Sequence, residues 1–199
     1  MSIIKEIDLI KKAAKGDPDA FESLMLQYQT PVYHLCFRIV GNAEDAADMT
    51  QETFLKAWKN LESFHMESSL STWLYRLANN CCLDLLRSKK RKPTISIVRE
   101  DEEGEEQAYD PADPSPQPDE LLIQKEERQL LQDALQSLDP QQRAILTLRV
   151  VNDMSYEDIS QVLQIKEGTV KSRLARAREN LRKKVLQLRN KSHSSSSKT

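Results

Sequence analysis

Apolar positions recur along the chain at helical spacing, broken by capping and breaking residues. In "GDPDAFESLMLQYQTPVYHLCFRIVG", Phe21, Leu24, Met25, Tyr28, Val32, Leu35, Cys36 and Ile39 follow the helical period. Asp17 is placed to cap this run, and Pro18 suits a first-turn position. Pro31 predicts a bend or a split, and Gly41-Asn42 a stop. "NAEDAADMTQETFLKAWKNL" predicts the next helix, with acids early and lysines late, as the helix dipole favours. "STWLYRLANNCCLDLLRSKKRK" predicts another, finishing in a basic cluster. Residues 1–92 show no strand periodicity.

The pattern fails from Arg99 to Glu120, "REDEEGEEQAYDPADPSPQPDE", where acids dominate and prolines recur. Such a segment buries little apolar surface and predicts a flexible linker. Helical spacing resumes near Leu121 with "LLIQKEERQLLQDALQSL", and Asp139-Pro140 restarts a helix. From Met154 to Leu188 the spacing predicts a helix-turn-helix. Ser155 and Asp158 form a capping box, Ile159, Val162 and Leu163 give the first helix an inner face, and Gln164-Ile165-Lys166 is the turn. The second helix is expected to start near Gly168 or Thr169. Val170, Leu174, Ala177 and Leu181 share its inner side, with Lys171, Arg178 and Arg182 on a flank and Ser172, Arg176 and Lys183 outward. The fold class is therefore all-α. Two small helical domains, 1–92 and 121–190, are joined by an acidic linker at 93–120. The low-complexity tail at 191–199 is expected to be disordered.

Composition agrees with this picture. Four glycines are few for a sheet protein, and 39% hydrophobic with 30% charged residues suits modest cores. The odd cysteine count, with Cys81 and Cys82 adjacent, argues against a disulfide framework. These two are expected to pack within a helix, and His34 to be half-buried. Neither a signal peptide nor a membrane span is evident, and a reducing cytoplasm is the simplest location. No metal-ligating spacing, nucleophilic triad or Gly-rich phosphate loop stands out, so neither cofactor nor catalysis is expected. Net charge is −2, which is unusual for a DNA reader. The charge is sorted by position, however. Basic residues collect at Arg87–Lys92 and Lys166–Lys191, and acidic residues in the linker and in the "AEDAADMTQE" helix.

The motifs "AF..L...Y", "GNAEDAADMTQETFLKAW", "STWLYRLANN" and "MSYEDISQVLQIKEGTVKSRLARARENLR", in this order across an acidic linker, resemble bacterial RNA polymerase sigma factors of the extracytoplasmic-function class of the sigma-70 family. The resemblance spans roughly Ile7 to Leu188. It implies a factor that binds core RNA polymerase through the β′ clamp helices and the β flap, recognises the −35 and −10 promoter elements and helps open the DNA. It implies core contacts at Asp45, Asp48, Gln51, Glu52 and Phe54. A flipped −10 base would lie in a pocket lined by Phe64, Leu77 and Asn80. His65 to Leu70, including Ser68 and Ser69, would form the capturing loop, with Arg87 and Lys90 on phosphates. Trp73 would belong equally to core or to DNA. The −35 contacts would be Arg149, Thr169, Lys171, Ser172, Ala175 and Arg176. Lys171 lacks the fork that arginine presents to guanine, and relatives often carry a larger side chain where Ala175 stands. Tyr156 is expected to be a packing residue. The acidic linker would thread toward the polymerase cleft and mimic nucleic acid. An anti-sigma factor, membrane-bound in many relatives, is the further partner implied.

Overall fold

The computed structural model describes the backbone of residues 3–91 and 118–196, and the side chains of residues 5–91 and 127–191. The acidic run from Glu100 to Glu106, with the rest of 92–117, lies outside the described residues. Before that segment come α1 (Ile3–Ala13), α2 (Pro18–Val40), α3 (Ala43–Asn60) and α4 (Leu70–Arg91). After it come α5 (Pro118–Gln136), α6 (Pro140–Leu146), α7 (Tyr156–Leu163) and α8 (Glu167–Ser196). A 3-10 turn at Leu61–Ser63 follows α3, and a π-helical turn at Thr147–Val151 follows α6. No strand occurs among the described residues.

Local chemistry sets the helix ends. The Asp17 carboxylate accepts from the backbone N–H groups of Asp19 at 3.0 Å and Ala20 at 3.1 Å. Asn42 accepts from the Asp45 N–H at 2.8 Å, and Asp139 from Gln141 at 2.9 Å. Each satisfies a donor that the first helical turn leaves orphaned. Gly41 closes α2 in the left-handed region at φ 91°, donating to the Phe37 carbonyl at 2.8 Å. Of the bend or split expected at Pro31, the split does not occur: α2 runs from Pro18 to Val40. The proline removes one N–H, and the carbonyl freed is that of Gln27, in an exposed stretch where water can take it. Val32, Leu35, Cys36 and Ile39, at most 1% exposed, meanwhile hold the second half of the helix in the core. His34 is exposed rather than half-buried, its ring edge-on to Tyr33 at 5.9 Å. α8 begins at Glu167 and runs helically to Ser196, into the stretch expected to be disordered. Extending an existing helix adds one hydrogen bond per residue fixed, so a long helix carries polar residues past its packed part.

Around α2 pack α1, α3 and α4. α6 also packs on α2, and α7 on α4, so the buried apolar residues form one cluster reaching from Ile10 to Ala177. Polar contacts also join the helices on either side of 92–117. The Thr72 hydroxyl donates to Asp158 Oδ1 at 3.3 Å, and the Gln136 amide to the Arg38 carbonyl at 3.5 Å. Cys36, Cys81 and Cys82 are free and buried, the last two within α4 as expected.

A Cβ at Gly41 would stand 2.5 Å from Gln136 Oε1. That side chain can swing away, but the positive φ cannot be relieved. Gly41→Ala is therefore expected to lower stability by about 1–2 kcal/mol, read as a shift in the urea midpoint. A midpoint equal to the parent's would show that the left-handed cap carries no strain for a side chain.

Candidate nucleic-acid and polymerase interfaces

The helix-turn-helix is built by short-range chemistry. Ser155 Oγ accepts from the Asp158 N–H at 3.0 Å and donates to Asp158 Oδ2 at 2.6 Å, the capping box read from sequence. Gln164, at φ 53°, ends α7 in the left-handed region, and three residues lead to α8. Ile159, Val162, Val170, Leu174 and Ala177 are at most 2% exposed, which locks α8 against α7. The opposite side of α8 therefore faces solvent. Lys171, Ser172, Ala175 and Arg176 are exposed, and Thr169 is half-buried. The Ser172 hydroxyl donates back to the Thr169 carbonyl at 3.0 Å. Among the described residues, neither Lys171 nor Arg176 lies in a salt bridge with a carboxylate. Arg149, from the π-helical turn, joins this region. Its Nη1 donates to the Met154 carbonyl at 2.8 Å and reaches Asp153 Oδ1 at 3.4 Å. The structure thus brings the six expected −35 residues to one end of the molecule.

The residues expected at the −10 element are less uniformly disposed. Asn80 is exposed on α4, with half-buried Leu77 three positions before it and exposed Arg87 and Lys90 farther along. Phe64 is only 9% exposed, its ring 5.1 Å from that of Trp73. Trp73 is itself 6% exposed and belongs to the core. His65 and Ser69 are exposed and Ser68 half-buried. Ser69 starts α4, its hydroxyl accepting from the Thr72 N–H at 3.1 Å. A void of about 300 Å³ beside the loop lies between Glu67, Ser68, Thr72, Trp73 and Arg76 on one side and Gln161 and Gln164 of the α7 region on the other.

On α3 the five expected core-contact residues divide. Asp48 and Gln51 are exposed, and Glu52 pairs with Lys56 at 3.4 Å. Phe54 does not reach the surface: at 6% exposure it is part of the core. Asp45 is engaged within the chain, with Lys89 Nζ at 2.6 Å from Oδ2 and Asn42 Nδ2 at 2.6 Å from the same oxygen. The outward stripe is Asp48, Gln51, Leu55 and Trp58. The last two were missed by sequence reasoning, yet they are 48% and 38% exposed. They sit four and seven positions after Gln51, so the helical phase of that residue could have found them. Trp58 rests on Phe21, ring centroids 4.9 Å apart, which fixes its orientation.

Among the described residues no group of three His, Cys, Asp or Glu could hold a metal, and no helix is long and apolar enough to cross a membrane.

Comparison with known proteins matches both ends of the chain. The family described as Sigma-70 region 2 covers residues 24–92, and Sigma-70, region 4 covers residues 128–181. The ECF RNA polymerase sigma factor SigW of Bacillus subtilis is 34% identical over 90% of this chain and 96% of its own length. The ECF RNA polymerase sigma-E factor of Escherichia coli K12 is 36% identical over 89% and 92%. The solved sigma factor RpoE, in complex with the anti-sigma factor NepR from Bartonella quintana, is 27% identical. It superposes with a TM-score of 0.62 over 84% of this chain and 96% of that one.

Burial alone would raise the Asp45 carboxyl's pKa, but the Asn42 hydrogen bond and the Lys89 ammonium outweigh it and hold the group below its ordinary value. A carboxylate depressed in this way stabilises the fold above its unfolded pKa, about 3.9, and that contribution is lost as pH falls through the folded pKa. Asp45→Asn is expected to be less stable than the parent near pH 6, with the difference shrinking below about pH 4. Denaturant titrations across that range measure it. A deficit independent of pH would mean that the charge is not what Asp45 contributes.

Proposed function

The chain belongs to the extracytoplasmic-function sigma factors of the sigma-70 family, and from that premise we propose which of its surfaces does what. As a sigma factor it binds core RNA polymerase and directs promoter-specific initiation of transcription. The −35 element is read by the outer face of α8. One observation carries this assignment: Lys171 and Arg176 project from the first turns of a helix whose opposite side is pinned at 2% exposure or less, with no carboxylate paired to either among the described residues. Cations in that state are available to phosphates and base edges. Arg149 adds a third. The −10 element is met by Asn80 and Leu77, with the loop from His65 to Ser69 beside them and Arg87 and Lys90 on the backbone. Phe64 acts from beneath, as the packed support of that loop.

Core polymerase is met by the stripe Asp48, Gln51, Leu55 and Trp58, where charge supplies steering and exposed apolar area supplies affinity. Asp45 is a structural acid on this reading. The chain itself performs no chemistry; bond formation rests with the polymerase. It works in the cytoplasm, where its partners are. An anti-sigma factor is a further partner, a reading supported by the likeness to RpoE solved with NepR.

The test is run-off transcription by purified core polymerase over a genomic promoter library, with and without the full chain. The expected outcome is a small set of transcripts that require it. On those promoters Arg176→Ala is expected to weaken −35 binding by roughly five- to a hundredfold, about 1–3 kcal/mol, with core affinity unchanged. Asn80→Ala is expected to lower permanganate reactivity at the −10 region. Trp58→Ala is expected to weaken core binding about thirtyfold, roughly 2 kcal/mol. Absence of any chain-dependent transcript overturns the assignment as a whole, whereas one silent variant overturns only its own surface.

A further inference from the structure

Tyr156 opens α7, directly after the capping Ser155, and its half-buried ring packs against the core. Two cations lie over that ring. The Arg149 guanidinium carbon is 5.3 Å from the centroid, and Lys171 Nζ is 5.7 Å from it. Both distances fall within the reach of a cation–π contact. The cations arrive from different elements, one from the π-helical turn and the other from the start of α8. Bringing two like charges to one ring is unfavourable unless something compensates. Asp153 is the one carboxylate paired with either among the described residues, 3.4 Å from Arg149, and its side chain is 93% exposed. Such a pair contributes little in water. The arrangement therefore gathers positive charge at the −35 face and leaves it largely uncompensated.

We propose that Tyr156 is a positioning residue for −35 recognition: its ring orders the Arg149 and Lys171 side chains so that both meet duplex DNA together. The proposal rests on the −35 reading above and deepens it. A lysine is a flexible point charge, and ordering its long side chain opposes binding. A ring that holds the ammonium beforehand removes part of that opposition. Arg149 is held in the same way, with the Met154 carbonyl as its second anchor. Tyr156 thus acts through the two cations and not as a DNA contact of its own. Packing alone would require only an apolar body at this position, whereas positioning requires an aromatic face.

The experiment uses holoenzyme reconstituted from core polymerase and the full chain, with a promoter fragment that it transcribes in run-off. Tyr156→Leu and Tyr156→Met, which keep apolar volume but lose the ring, are expected to bind about three- to tenfold more weakly. Tyr156→Phe, which keeps the ring, is expected to restore what they lose. In an Arg149→Ala, Lys171→Ala background, Tyr156→Leu is expected to add no further loss, because nothing remains to be positioned. Core affinity and melting temperature report whether each variant is folded. A phenylalanine variant as weak as the leucine one would overturn the proposal, since the hydroxyl would then be the active group. So would a leucine effect of the same size in both backgrounds. Should Arg149→Ala and Lys171→Ala both bind as the parent does, the −35 reading fails and takes the proposal with it. Should they weaken while Tyr156→Leu and Tyr156→Met do not, the proposal alone fails.

Discussion

Burial of α2 on several sides at once is the constraint on which the other helices depend. α1, α3, α4 and α6 all pack on it, and Val32, Leu35, Cys36 and Ile39 are at most 1% exposed. Each large apolar side chain so buried contributes roughly 1.5–3 kcal/mol. Because α3 and α4 share this one support, the stripe proposed to meet polymerase and the end of α4 proposed to meet DNA hold a fixed relation. The Lys89–Asp45 pair then ties the basic end of α4 to the start of α3. Cys36 and Cys82 meet within the same packing. The Cys82 thiol, hydrogen-bonded with Cys36 and buried, is held well above the ordinary thiol range, so it packs as a neutral apolar group.

The overall charge of −2 hides two opposite surfaces. Acidic Asp48 stands beside exposed Leu55 and Trp58 on α3, while α8 turns lysines and arginines outward. Each sign is suited to a different partner, polymerase or promoter. A uniformly basic chain would bind DNA more tightly but less selectively, because phosphate attraction is indifferent to sequence. Lys89 shows how this sorting is enforced. It lies in the basic cluster of α4, yet its ammonium sits on Asp45, and Arg87 is paired likewise with Asp84 at 3.0 Å, beside exposed Lys90 and Arg91.

How much of this was legible in the sequence follows from the range over which each feature is determined. The helices, their caps and the turn at 164–166 were legible because every partner lies within a few residues. Ser155 with Asp158 and Asp17 with Ala20 are examples. The solvent-facing side of α8 was legible for the same reason. The state of Asp45 was not, because Lys89 is 44 residues away and only packing brings the two together. Phe54, expected at the polymerase contact by resemblance, lies in the core, as its apolar character alone would have indicated. The pose of Arg149 depends on a π-helical turn that no periodicity announces. Whether a proline splits a helix depends on what holds the two halves, and for Pro31 that is tertiary packing.

The same packing sets a requirement on how the chain would be used. Thr72, beside the −10 loop, lies 3.3 Å from Asp158 of the helix-turn-helix. The two promoter elements are named for positions 25 base pairs apart, about 85 Å along a duplex at roughly 3.4 Å per base pair. On the proposed assignment of α4 to one element and α8 to the other, helices held in contact do not span that distance, so reading both would require the α4–α7 contact to part. Covalent geometry permits this. The chain from Arg91 to Pro118 can extend at most roughly 90 Å at about 3.3–3.6 Å per residue. The contact to be broken includes a part-buried hydrogen bond between the Thr72 hydroxyl and the Asp158 carboxylate, a modest net interaction. Binding of α3 to the polymerase leaves that contact untouched, whereas simultaneous binding of α4 and α8 to one duplex does not. The energy for separation would therefore come from the DNA and from the second set of polymerase contacts, and the packed form would persist until both are present.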